Sequence, residues 1–224
     1  MRPSFSAMLE RNIQALVTDD PGEETPAEVR NRLKGRFPPG ATRRMTILGL
    51  MVGRALSELD PREDDSIIYA SGYAESGALE GFLDSFPAPS PTLFQTSIHP
   101  SAVQQLMIGR QAPVGELLPH SGGPLFAFHA LRAALLSPAA RALVCGGEER
   151  GTWLLEHGLA SGRAFAFAAS LSRERGPRDL GRMRLIRDDG DGQLGLAAWF
   201  DLLHGRTPFS GVIAPGWRME IEWH

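Results

Sequence analysis

Residues 117–136, LLPHSGGPLFAFHALRAALL, set a histidine, a serine and two glycines between an apolar run and a second run of helical period. His120, Ser121, Gly122 and Gly123 form the corner, and Pro124 suits the first position of the helix that follows. Backbone amides at such a corner, with a helix dipole behind them, can hold an anion or a thioester oxygen. The same residues serve as a strand–helix junction without a ligand, since glycine turns before helices are common. No thiol stands at the corner. The one cysteine, Cys145, lies in an apolar run, where cysteine behaves as a small inert hydrophobe.

The remaining chemistry-bearing types are scattered. His99 lies in TSIHPS, where it can cap a loop or act as a base, and His129 falls inside the corner helix as a packing residue. The six histidines make no metal-ligand pair at helical spacing, so no metal is expected. DDGDG (188–192) resembles the start of a calcium loop, but the position about eleven residues after Asp188 is Trp199, not a bidentate glutamate. It reads as a turn, with Asp191 capping the next helix. No phosphate-cradling or dinucleotide-binding glycine pattern is present, and no cofactor is implied.

Local elements must position these residues. Thr25 and Pro26 open a short helix in TPAEVRNRLKGRF, and Met45, Leu48, Val52 and Leu56 make one apolar face of a helix over 42–59. DSIIYAS, APVGELLP, ARALVCGGEE and GRAFAFAASLSRE read as strands, ESGALEGFLDSF and SAVQQLMIGR as helices, and NIQALV as a further strand. Beyond residue 173 the texture changes to alternating GRMRLIRDD, the helical QLGLAAWFDLLHGR and alternating GWRMEIEWH. Strands interleaved with helices of ten or more residues predict an α/β fold with some parallel pairing. With 224 residues, 42% hydrophobic and 22% charged, the chain can bury a substantial core. A net charge of −3, with Lys34 the only lysine, excludes a basic nucleic-acid-binding protein. The start MRPSFSAMLERNIQ lacks a signal-peptide core, and no apolar run approaches the roughly 18 residues of a membrane span. A cytoplasmic protein, associated with neither membrane nor nucleic acid, is expected.

In this order, RRMTILGLMVGRAL, SIIYASGYAE, SPTLFQTSIHPS, the corner and ALVCGGEE resemble the N-terminal half of a β-ketoacyl synthase. The resemblance spans about residues 38–172 and is closest to the short chain-length-factor-like group of aryl polyene clusters. GWRMEIEW resembles that group's closing strand. The resemblance implies a thiolase-like half-fold: a mixed five-stranded sheet flanked by helices, with a small C-terminal strand–helix–strand extension. One domain is expected over 1–224, with its core at about 38–172 and the extension at 173–224.

Counting back from Glu148-Glu149 by the family's spacing puts His120 where an active ketosynthase has its cysteine, with Ser121 or Gly122 there if a gap intervenes. The family's two catalytic histidines belong to a C-terminal half, and this chain ends at His224. An acyl-imidazole hydrolyses quickly, so His120 cannot hold an acyl chain durably. The resemblance therefore implies a degenerate nucleophile corner, no catalytic residues, and no condensing activity by the chain alone. His99, Ser97 and Phe126 are the candidate pocket residues. Val114, Glu116 and Leu118 mark the strand that, in the family, pairs across a two-fold axis. The expected partner is a full-length β-ketoacyl synthase, with the corner helix walling its tunnel, or a second copy of this chain, and an acyl carrier protein as a further partner. The alternatives are a small thioesterase or hydrolase using His120 or Ser121 with His99 as base, and a homodimeric acyl- or carrier-protein-binding module.

Overall fold

The structure, a computed structural model, describes residues 8–224, so the first part of the stretch searched for a leader lies outside the described residues. Eight strands form one sheet: β1 (Met8–Asp19), β2 (Ser66–Ser71), β3 (Glu116–Ser121), β4 (Arg141–Glu148), β5 (Phe165–Ser172), β6 (Gly181–Arg187), β7 (Phe209–Ala214) and β8 (Trp217–Trp223). Their order is β3-β2-β4-β5-β1-β6-β8-β7. β2 runs parallel to both β3 and β4. Every other neighbouring pair is antiparallel.

Helices cover both faces. α1 (Pro26–Leu33), α2 (Pro39–Thr42), α3 (Ile47–Ser57), α4 (Ser76–Asp84), α5 (Pro91–Thr96) and α6 (Ser101–Arg110) precede β3 in the chain or connect it to β2. α7 (Phe126–Leu136), α8 (Trp153–Glu156) and α9 (Leu196–His204) follow. One apolar cluster sets Phe128, Leu131, Trp199 and Phe200 of α7 and α9 against Ile68, Val144 and Phe167 of the sheet. The other sets Leu48, Met51, Val52 and Val103 of α3 and α6 against Ile67, Tyr69, Leu143 and Cys145. Successive strand residues thus serve opposite clusters, which is why SIIYAS and ALVC read as unbroken apolar runs.

The mixed, helix-flanked sheet matches expectation, but it has eight strands and not five. β1 extends well beyond NIQALV. Its first half pairs with β6 and its second half with β5, so it sits mid-sheet and carries the C-terminal strands into the same sheet. The expected extension is therefore a continuation of that sheet, and FSGVIA supplies a strand, β7, that turn-rich surroundings concealed. Several boundaries also move. α3 begins at Ile47, where Thr46 caps it by accepting from Gly49 N–H, so Arg43 and Arg44 fall in the preceding turn. α7 begins at Phe126, so Pro124 lies in the turn and not at the first helical position. Gly195 and not Asp191 precedes α9. Among the described residues no helix is long and apolar enough to cross a membrane.

Candidate functional site

β3 is an edge strand, bonded to β2 alone, with Ala70 opposite His120 and Ser71 opposite Ser121. Val114 lies before this strand and packs against the α3-side cluster, so it is not part of the edge. Glu116 accepts a hydrogen bond from Ser66 of β2, and Leu118 packs toward α7. Pairing across an edge uses backbone groups, not these side chains. Pro119, which has no N–H to donate, is tolerated because the strand is at an edge.

Where β3 ends, Gly122 and Gly123 take φ of +67° and +75°, a left-handed turn that side chains disfavour, and reverse the chain into α7. Leu125 caps α7 without a side-chain hydrogen bond, so the helix presents uncapped amides beside the turn. An open cavity of about 560 Å³ lies along β3 and α7, lined by His120, Ser121, Phe126, His129, Arg132 and Leu136 among others. His129 is exposed there, not packed inside as expected.

The corner lacks the relay that nucleophilic catalysis needs. Among the described residues His120 Nε2 is buried without a hydrogen-bond partner, and no carboxylate orients its ring. Burial, with the nearby His129, lowers its pKa, so the imidazole is neutral at pH 7. Ser121 is exposed and has no base hydrogen-bonded to it among the described residues. Cys145 is fully buried, and burial pushes its thiol pKa up. The arrangement offers amides, two imidazoles and the Arg132 cation on a concave surface, which suits contact more than covalent chemistry.

His99 is elsewhere. It stacks on Tyr69 with centroids 4.9 Å apart, and its Nδ1 lies 3.3 Å from Glu75 Oε2. Glu75 Oε1 also accepts from Ala102 N–H at the start of α6. Ser97 donates to Phe94 O at the end of α5. His99 and Ser97 do not line the corner cavity, whereas Phe126 does.

Buried carboxylates hold the loops around the strand ends. Glu149 accepts from Leu48 N–H of α3 at 3.1 Å and Gly77 N–H of α4 at 2.7 Å. Glu148 accepts from Gly72 N–H, Tyr73 N–H and the Ser71 hydroxyl. Glu80 accepts from Thr152 N–H and Leu154 N–H, at the start of α8. α4, α6 and α8 have no side-chain cap of their own, so Glu149, Glu75 and Glu80 respectively satisfy helix ends left open by the local sequence. The acidic pair after ALVCGG was visible in sequence, but its capping role was not, because the capped amides lie 72 to 101 residues away.

No protein-family model matches the chain, and no curated protein does. Among solved structures, it superposes on a chain from the complex of the ketosynthase ApeO with its chain length factor ApeC from Xenorhabdus doucetiae. The TM-score is 0.70 at 19% identity, over 96% of this chain and 99% of that one. The chain carries the thiolase-like ketosynthase fold. A ketosynthase from module 6 of the Bacillus subtilis bacillaene synthase matches at a TM-score of 0.48 and 12% identity, over 82% of this chain and 42% of that one. A 3-oxoacyl-(acyl-carrier protein) synthase from Burkholderia xenovorans matches at 0.36 and 14%, over 83% and 55%.

Proposed function

We propose that the chain is a chain-length-factor-like subunit, without condensing activity of its own, that pairs with an active β-ketoacyl synthase in fatty acid or polyketide biosynthesis of aryl polyene type. The observation that carries this reading is the near end-to-end superposition on a similarly long chain of a ketosynthase–chain length factor complex. The thiol-free corner and the open β3 edge are consistent with it, since an exposed edge beside an open groove is relieved by a partner strand. In the pair, β3 and α7 face the ketosynthase, and α7 lines its acyl tunnel. The work is placed in the cytoplasm, with acyl carrier protein as the transient third component. No observation favours the thioesterase alternative, since among the described residues Ser121 has no hydrogen-bonded base and His120 no orienting group.

Co-expression with a full-length β-ketoacyl synthase from the same genome tests this reading. The expected result is a 1:1 complex by affinity capture and light scattering. Leu136, 49% exposed at the far end of α7, lines the groove. Leu136→Glu is expected to weaken the complex at least tenfold while leaving the melting temperature of the isolated chain unchanged. Recovery of a homodimer or monomer alone, with no ketosynthase bound, overturns the proposal.

A further inference from the structure

A second cavity, of about 550 Å³, opens on the α3 side of the sheet, away from α7 and the β3 edge. Its apolar wall is built by Val29, Met45, Ile47, Ala78 and Leu93, of which Val29, Met45 and Ile47 belong to the α3-side cluster. That volume falls in the range of small-molecule sites, which typically run from about 300 to about 1,000 Å³ and pair apolar walls with a few placed polar groups.

The polar groups sit at the mouth. Arg43 and Arg44 line it, both are exposed, and neither guanidinium has a hydrogen-bond or ion-pair partner among the described residues. They are held in place by Arg30, which donates to Thr42 O at 3.2 Å and Met45 O at 3.0 Å, the carbonyls on either side of the pair. Arg150, also at the mouth, donates to Gly22 O and lies 3.7 Å from Glu23.

Among the described residues the carboxylates around this space are engaged by other groups and make no ion pair with Arg43 or Arg44. Glu149 lines the floor, where it accepts from Leu48 N–H and Gly77 N–H, as does Glu80, which accepts from Thr152 N–H, Leu154 N–H and the Thr152 hydroxyl. Glu24 is paired with Arg32. Glu23 is 95% exposed at its side chain and points its charge into solvent. An apolar pocket with two uncommitted cations on a pinned loop favours a ligand with an apolar body and one anionic head.

We propose that this cavity binds an anionic amphiphile, with its head on Arg43 and Arg44 and its chain against Met45, Ile47, Ala78 and Leu93. A fatty carboxylate and an alkyl phosphate share this chemistry. The site lies on the face of the sheet opposite the surface assigned to the ketosynthase, and it does not depend on that assignment.

Calorimetric titration of the purified chain with decanoate, decyl phosphate and decanol, all below their micellar or solubility limits, tests the site. At least one anion is expected to bind 1:1 and at least tenfold tighter than decanol, and to weaken with added salt. The tighter of the two anions identifies the head group. The double variant Arg43→Glu/Arg44→Glu changes only exposed side chains without partners, and is expected to keep its melting temperature and its ketosynthase complex. It should bind both anions at least tenfold more weakly and leave decanol unaffected. Binding of neither anion, or anion affinity equal to that of decanol or untouched by the double variant, overturns the proposal.

Discussion

Glu149 shows what one buried side chain does here. Its carboxyl reaches the first turns of both α3 and α4, two helices whose start points lie 29 residues apart in sequence. Burial pushes its pKa from 4.5 up to about 7, and burial does the same to Glu148. The folded chain therefore binds more protons than the unfolded chain between those values. Stability from this source is full below pH 4.5 and is lost as pH rises through about 7. Glu149→Gln keeps one acceptor for an amide and removes the titration. Calorimetric melting from pH 4.5 to 8 should give a flatter profile for E149Q than for the parent chain; an equally steep fall would count against Glu149 as its source. The corner histidine carries no comparable burden, because His120 makes no hydrogen bond at Nε2 among the described residues.

Among the elements, β1 decides the most and showed the least in sequence. Arg11 lies within it, fully buried, and donates to the carbonyls of Ser137, Ala139, Ala140 and Leu171. Burial, together with Arg173, pulls its pKa down to about 10, so it remains charged at neutral pH. One side chain thereby fixes the loop between α7 and β4, and with it the far end of the groove. Arg11→Met fills similar space but takes the Arg11 donors from four carbonyls, of which Ser137 O and Ala140 O keep Arg173 as a donor, and is expected to cost ~2 kcal/mol in urea unfolding. A loss below ~1 kcal/mol would show that solvent reaches these carbonyls. Nothing local reveals this role, since Arg11 and Asn12 interrupt the apolar alternation that marks a strand. β6 and β8 were easier to read, because their alternation separates two faces. Met183, Leu185, Met219 and Ile221 join the core, while Arg184 bridges Glu10, Glu220 and Glu222 across three strands on the other face.

At the scale of the molecule, sequence reading succeeded where the information is local and failed where it is not. The strand, glycine turn and helix of the corner, and the helix start at Thr25 and Pro26, are written in consecutive residues. The basic mouth over the apolar cavity is not, because it draws on β1–α1, α3, α4, α5 and the end of β4. The order of the sheet belongs to the same class, and one continuous sheet predicts that the described residues fold as one unit. Residues 173–224 give the α7-side cluster Met183, Leu185, Trp199, Phe200, Leu203 and Ile221, and they pair the outer edge of β1. A chain stopped at Ser172 loses those side chains and exposes β1 as a long new edge. Burying one large apolar side chain contributes roughly 1.5–3 kcal/mol, so losing these six forfeits about 9–18 kcal/mol, comparable to the whole 5–15 kcal/mol by which a domain is usually stable. The 1–172 fragment is therefore expected to show no cooperative melting and a collapsed amide proton spectrum, whereas the full chain melts in one transition. A fragment with dispersed amide signals and its own melting transition would mean that the C-terminal strands only decorate a sheet that is complete without them.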